Sequence, residues 1–172
     1  ATAGITSVYG GDWEYMVGGG AATLDCNADR RPDLILAGGS NPATLYVNDS
    51  APGGALAFHA VQSGLEQTAV LGAYAIDVDS DGISDVVLLR SGENVVMRGL
   101  GDCKFERANE AWGFDGGDAW SAAMAATREK GQSWPTIAIG NYIDRTQDMF
   151  PWGSCTDNWL HRPEGGKFAP PL

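Results

Sequence analysis

Asp77-Val78-Asp79-Ser80-Asp81-Gly82-Ile83-Ser84-Asp85 places carboxylates at positions one, three, five and nine of a nine-residue stretch, with glycine at six. Four acidic side chains this close repel one another unless a cation sits among them. Hard divalent cations take oxygen ligands. Such a loop can wrap Ca²⁺ with the side chains of Asp77, Asp79 and Asp81, the carbonyl of Ile83 and the carboxylate of Asp85, while Gly82 allows the sharp turn. A helix-loop-helix calcium site needs a bidentate glutamate at position twelve, and here that place is held by Leu88. It lies in Val86-Val87-Leu88-Leu89, which reads as a buried strand, so the loop is expected to join two strands. An acidic surface turn without metal is the plain alternative. The turn glycine and the ninth-position aspartate weigh against it.

The loop occurs twice. Upstream, Asp25-Cys26-Asn27-Ala28-Asp29-Arg30-Arg31-Pro32-Asp33 precedes the apolar run Leu34-Ile35-Leu36-Ala37. Its ligands would be Asp25, Asn27, Asp29, the carbonyl of Arg31 and Asp33. Arg30 replaces the turn glycine, and a left-handed non-glycine residue costs on the order of 1 kcal/mol, so this second calcium site is expected to be weaker or empty.

Short strands flank both loops in the same order. Ala21 to Leu24 enters the first loop, Leu34 to Ala37 leaves it, and Leu45 to Asn48 and Phe58 to Val61 complete the unit. In the second unit Gly72 to Ile76 enters, Val86 to Leu89 leaves, and Asn94 to Arg98 and Cys103 to Glu106 follow. Gly18-Gly19-Gly20 has no following Gly-Lys-Ser/Thr, so it reads as a close-packed strand entry rather than a phosphate loop. A third unit has Trp120 to Ala126 and Thr136 to Gly140. Its loop, Thr127 to Pro135, holds one carboxylate and two cations, which cannot cage Ca²⁺. Asn158 to Arg162 and Gly165 to Phe168 are the expected closing strands. The long insertion from Asn141 to Asp157 is the expected partner surface, with Asp144, Arg145 and an exposed Trp152 as its contact residues.

A period of about 50 residues with four short strands per unit is the signature of a β-propeller. The fold class is therefore all-β, with blade units at about 15–62, 63–108 and 109–172. Propellers typically have about 4 to 8 blades, so three blades make a partial ring. The expectation is the N-terminal part of a longer propeller, or a subunit that completes its ring with other protein chains.

Composition limits the partners. The chain of 172 residues has 22 acidic against 11 basic residues, a net charge of −11, which argues against nucleic acid and anionic membrane surfaces. No apolar run approaches the roughly 18 residues needed to span a membrane. The chain begins at Ala1 and shows no signal peptide, compatible with a mature exported protein or with a fragment. Cys26, Cys103 and Cys155 fit no zinc spacing. Cys103 with Cys155 is the favoured disulfide, because Cys26 lies within a metal loop; three thiols, or a partner beyond Leu172, remain an equal alternative. Asn48-Asp49-Ser50 is a glycosylation acceptor if the source is eukaryotic and secretory.

The Asp-x-Asp-x-Asp-Gly-x-x-Asp loop between short strands resembles the FG-GAP or VCBS repeat of integrin-α-like propellers. More narrowly, Ala3-Gly4-Ile5-Thr6, Tyr15 to Ala22, Asn141 to Arg145 and Gly153 to Leu160 resemble the cartilage acidic protein family with its ASPIC/UnbV relatives. The resemblance implies a secreted, extracellular or periplasmic, calcium-stabilised propeller used for adhesion or protein association, and it implies the same ligand sets in both loops. Arg30 and the third loop depart from the pattern.

A catalytic reading has little support. His59 and His161 both lie in closing strands, where packing or hydrogen bonding is the expected role, and no nucleophile-base-acid set can be assembled. The alternatives to a protein-interaction scaffold are a carbohydrate-binding propeller, or the non-catalytic part of a polysaccharide-active lyase or hydrolase. Trp112, Trp120, Trp134, Trp152 and Trp159 cluster in and before the third unit. A lectin would repeat such sites in every blade, which the first two units do not.

Overall fold

The computed structural model describes residues 2–16, 18–146 and 155–172. The fold is all-β. Strands β1 (Ala21–Leu24), β2 (Asp33–Leu36), β3 (Thr44–Asn48) and β4 (Phe58–Val61) form a four-stranded antiparallel sheet in chain order. Strands β5 (Val70–Ile76), β6 (Asp85–Arg90), β7 (Val95–Gly101) and β8 (Lys104–Arg107) form a second sheet of the same order. These are propeller-type blades: consecutive strands pair with their chain neighbours, and each blade presents its first strand to the next blade.

The third blade departs from four regular strands. Strands β9 (Ala119–Thr127), β10 (Thr136–Asp144) and β11 (Trp159–His161) pair in the order β11-β10-β9. The closing strand is broken into a ribbon, β12 (Pro163–Glu164) against β13 (Lys167–Phe168). Backbone bonds from Ala169 to the Arg162 carbonyl, and between Leu160 and Leu172, extend that pairing beside β11. Pro163 has no amide hydrogen to give a continuous ladder, which accounts for the break. Residues 141–144, expected in the insertion, are the end of β10, and bulges in the β9 pairing accommodate them.

Two apolar layers join the blades. Leu24, Ile35, Leu45 and Val47 of the first blade meet Ala73, Val86, Leu88, Val95 and Met97 of the second. On the other side of the second blade, Val87, Leu89 and Val96 meet Ile137 and Ile139 of the third, with Trp112, Trp134 and Phe168 closing the outer end. Alternation along β6 explains both: Val86 and Leu88 face one neighbour, Val87 and Leu89 the other. Three of the clustered tryptophans, Trp112, Trp120 and Trp134, are thus buried packing groups. The first strands of adjacent blades approach closely. A Cβ on Gly20 would lie 2.5 Å from the Gly72 Cα, so the glycine run is a packing device, as expected.

One feature differs from expectation and another adds to it. The favoured Cys103–Cys155 pair is not formed. Cys26 is bonded to Cys103 instead, joining the first loop to the β7–β8 turn of the neighbouring blade, and Cys155 is an exposed free thiol. Position two of the loop turns into the inter-blade layer, beside the buried Asp33, so membership of an acidic loop does not keep Cys26 from bonding. Secondly, residues 2–16 run across the first blade. The Ala3 carbonyl accepts from the Phe58 amide, Tyr46 Oη accepts from the amides of Thr6 and Ser7, and Trp13 packs on Trp120 with centroids 5.6 Å apart.

Candidate metal centre

Each acidic loop is a tight turn between the first two strands of its blade. Both share one backbone course: Ala28 and Ser80 have positive φ, as do Arg30 (66°) and Gly82 (87°) at position six. The ninth aspartate of each is fully buried. Asp85 accepts from the amides of Val78 (2.7 Å) and Gly99 (2.8 Å), and Asp33 accepts from Cys26 and Asn48 (both 2.9 Å). This carboxylate therefore ties the loop to the third strand of its own sheet. Burial pushes the Asp85 carboxyl up to about 6, with the two amides opposing and Asp79 and Asp81 adding to the rise.

In the second loop Asp77, Asp79 and Asp85 converge, each offering an oxygen within 4.8 Å of the others. Asp77 Oδ1 is buried and has no hydrogen-bond partner among the described residues, although a carboxylate oxygen in that position is costly to leave unpaired. The donors are all hard oxygens with converging negative charge. This set fits a hard divalent cation. Asp81 stands outside the converging group. One of its oxygens accepts from the Ile83 amide at 2.8 Å, and the other lies 3.3 Å from the Arg98 guanidinium. Arg98 Nε is also 3.3 Å from Asp79 Oδ2.

In the first loop Asp25, Asp29 and Asp33 form no comparable group among the described residues. Asp25 accepts from the amides of Asp29 and Arg30, and Asp29 is gripped by the Arg31 guanidinium through Nη2 (2.7 Å) and Nε (3.1 Å). The side-chain bond from Arg31, joined by its backbone amide, holds the Asp29 carboxyl down to about 2. Asn27 spends its amide on Asp29. Cys26 and Cys103 converge with Asp33, but their sulfurs are joined to each other.

The third loop holds none of this machinery, as its sequence indicates. Its one carboxylate, Glu129, is taken by Arg162 and Thr136. Instead it supports the second loop: Arg128 donates to the Asp77 carbonyl, and Ser80 Oγ donates to the Ser133 carbonyl at 2.7 Å. Sequence reasoning misses Arg98 and Arg128. The register offers a signal for the first: β6–β7 pairing places Arg98 where β2–β3 pairing places Val47, a cation at an apolar position.

The other predicted residues lie elsewhere. Asp144 ends β10, Arg145 pairs with Asp118 at 2.8 Å near Gly92, and Trp152 lies outside the described residues. His59 pairs with Asp49 at 2.5 Å on the surface. His161 is buried between Phe114, Trp159 and Phe168, both ring nitrogens lacking a partner among the described residues, and burial lowers it to about 4.

Residues 25–88, which contain both acidic loops and the strands between them, match the family model of the FG-GAP-like repeat. No curated protein matches the chain. The repeat match and the blade geometry agree on one architecture: residues 25–88 carry FG-GAP-like repeat sequence within a chain of propeller-like blades.

Proposed function

We propose that the chain is an exported, calcium-stabilised propeller module acting as a protein-association or adhesion scaffold rather than an enzyme. The observation that carries the reading is the convergence of Asp77, Asp79 and Asp85, together with a buried Asp77 Oδ1 that has no partner among the described residues. Bound calcium supplies two positive charges to that cluster. The chain's own residues do the positioning: Asp85 fixes the loop to β7, Gly82 makes the turn, and Arg128 holds the Asp77 carbonyl. A rigid turn there fixes the end of the blade and the loops beside it.

Other observations support the rest of the reading. The Cys26–Cys103 bond suits an oxidising compartment, and among the described residues no helix is long and apolar enough to cross a membrane. Leu34 and Leu36 of the first blade are only partly covered, whereas Val86 and Leu88 at the same positions of the second blade are fully buried. That face suits a further blade, supplied by another chain or by more of this one. The relation to the cartilage acidic protein and ASPIC/UnbV family is part of the same proposal. So is a partner surface around Asp144 and Arg145. A glycan-binding reading draws on Trp13 and Tyr142, 43% and 59% exposed, on either side of buried Trp120.

Thermal unfolding in calcium and in chelator tests the metal assignment. Asp77→Asn, which removes the charge but keeps the shape of the carboxylate with the unpartnered oxygen, is expected to lower the midpoint by about 3–6 °C in calcium, the scale of a ~1–2 kcal/mol loss, and to change little in chelator. Equal losses under both conditions would contradict it.

A further inference from the structure

Asp79 and Asp81 each spend one oxygen inside the loop: Asp79 Oδ1 accepts from the Asp81 amide at 3.2 Å, and Asp81 Oδ1 from the Ile83 amide at 2.8 Å. Their other oxygens both face Arg98, at 3.3 Å each. Those are the oxygens that the loop's own amides leave open to a cation. Asp81 is also the position-five carboxylate left outside the converging group, on the side where Arg98 lies. The guanidinium is about two-fifths exposed and stands on β7, next to the amide of Gly99 that anchors Asp85. Across the β7–β8 pair it faces Glu106. Directly opposite residues of an antiparallel pair lie close enough for long side chains to meet, so Glu106 offers a second anchor on the sheet surface.

We propose that Arg98 is a built-in competitor of the cation, an affinity-setting residue that neutralises Asp79 and Asp81 in the metal-free loop and withdraws toward Glu106 when the ion enters. This rests on the calcium reading of the same loop. One guanidinium cannot satisfy four carboxylates, so the loop still favours a divalent ion. Displacing the guanidinium, however, subtracts from the binding free energy and makes the site respond to calcium at higher concentration than four aspartates alone would. The same residue keeps the empty loop folded. A hydrophobic or neutral side chain at this position would leave the metal-free loop with uncompensated repulsion and the loaded loop with nothing to displace.

Calcium titration of the full chain by calorimetry, with wild type, Arg98→Gln and Glu106→Gln, reads the proposal directly, and metal-free thermal midpoints are taken alongside. Arg98→Gln is expected to tighten calcium binding on the order of tenfold while lowering the metal-free midpoint, the effect of one charge removed beside a partly screened cluster. Glu106→Gln is expected to weaken binding about two- to threefold, because the displaced guanidinium loses its alternative anchor. Equal affinity in wild type and Arg98→Gln, or weaker binding in the latter, overturns the competitor role while leaving the calcium site standing. Absence of calcium binding in all three proteins overturns both together.

Discussion

Asp25 to Asp33 and Asp77 to Asp85 follow the same backbone course, bury the same ninth aspartate and tie it with the same pair of amide bonds, one from position two of the loop and one from the third strand. They differ in what balances their charge and in where position two leads. In the first loop Arg31 closes on Asp29, and Cys26 is bonded to the next blade. In the second, Val78 occupies position two as a packing residue, and three carboxylates converge, one with an oxygen unpaired among the described residues, with Arg98 at their edge. The shared part is the turn and its anchor. The exchangeable part is the cation. A repeat can thus keep its blade geometry with different positive groups and ties at its loop, and the third loop, which has no carboxylate cluster, is held instead by Arg162 on Glu129 and by its contacts with the second loop.

The largest effect expected to separate the two loops comes from the disulfide. Replacing Cys26 and Cys103 with serine opens a link across 77 residues and is expected to cost about 4 kcal/mol, equally in calcium and in chelator, measured by denaturant unfolding. A loss that calcium rescues would mean that the first loop binds the ion after all. Next in size is the edge of the third blade, which relies on packing around His161. A free histidine titrates near 6.5, and burial lowers this one to about 4. Its folded value is the lower, so its contribution is fully present above about pH 6.5 and is lost as pH falls through about 4. Wild type should lose up to about 3 kcal/mol more than His161→Leu across that window, by urea melts at matched pH. Parallel pH profiles would show that the ring stays solvated. The smallest effect concerns position six. Arg30→Gly relieves a left-handed residue and should stabilise the first loop by about 1 kcal/mol or less without creating a metal site.

Much of the fold can be read directly from residue types. The loop-strand spacing locates two blades because a nine-residue acidic turn and a following apolar run each have one structural solution here, and β4 (Phe58–Val61) falls where the pattern puts it. The charge partners are hidden. Arg98 acts across a sheet register and Arg128 across a blade boundary, and neither is near the loop in sequence. The cysteine pairing eludes the sequence for a related reason. Spacing along the chain says nothing of which turns adjoin between blades, and the alternation that sends Asp25 and Asn27 outward sends Cys26 inward. The end of β10 reads as insertion because Asn141 to Asp144 carry polar residues, which a bulged, half-exposed strand tolerates. The crossing of residues 2–16 over Tyr46 leaves no local signal, since it rests on backbone amides.

Native mass spectrometry of wild type, Asp79→Asn and Asp29→Asn counts the calcium ions bound per chain and so tells the two loops apart. One ion is expected in wild type, none in Asp79→Asn and one in Asp29→Asn. Two ions in wild type, or loss of the ion in Asp29→Asn, would contradict the division of labour between the loops.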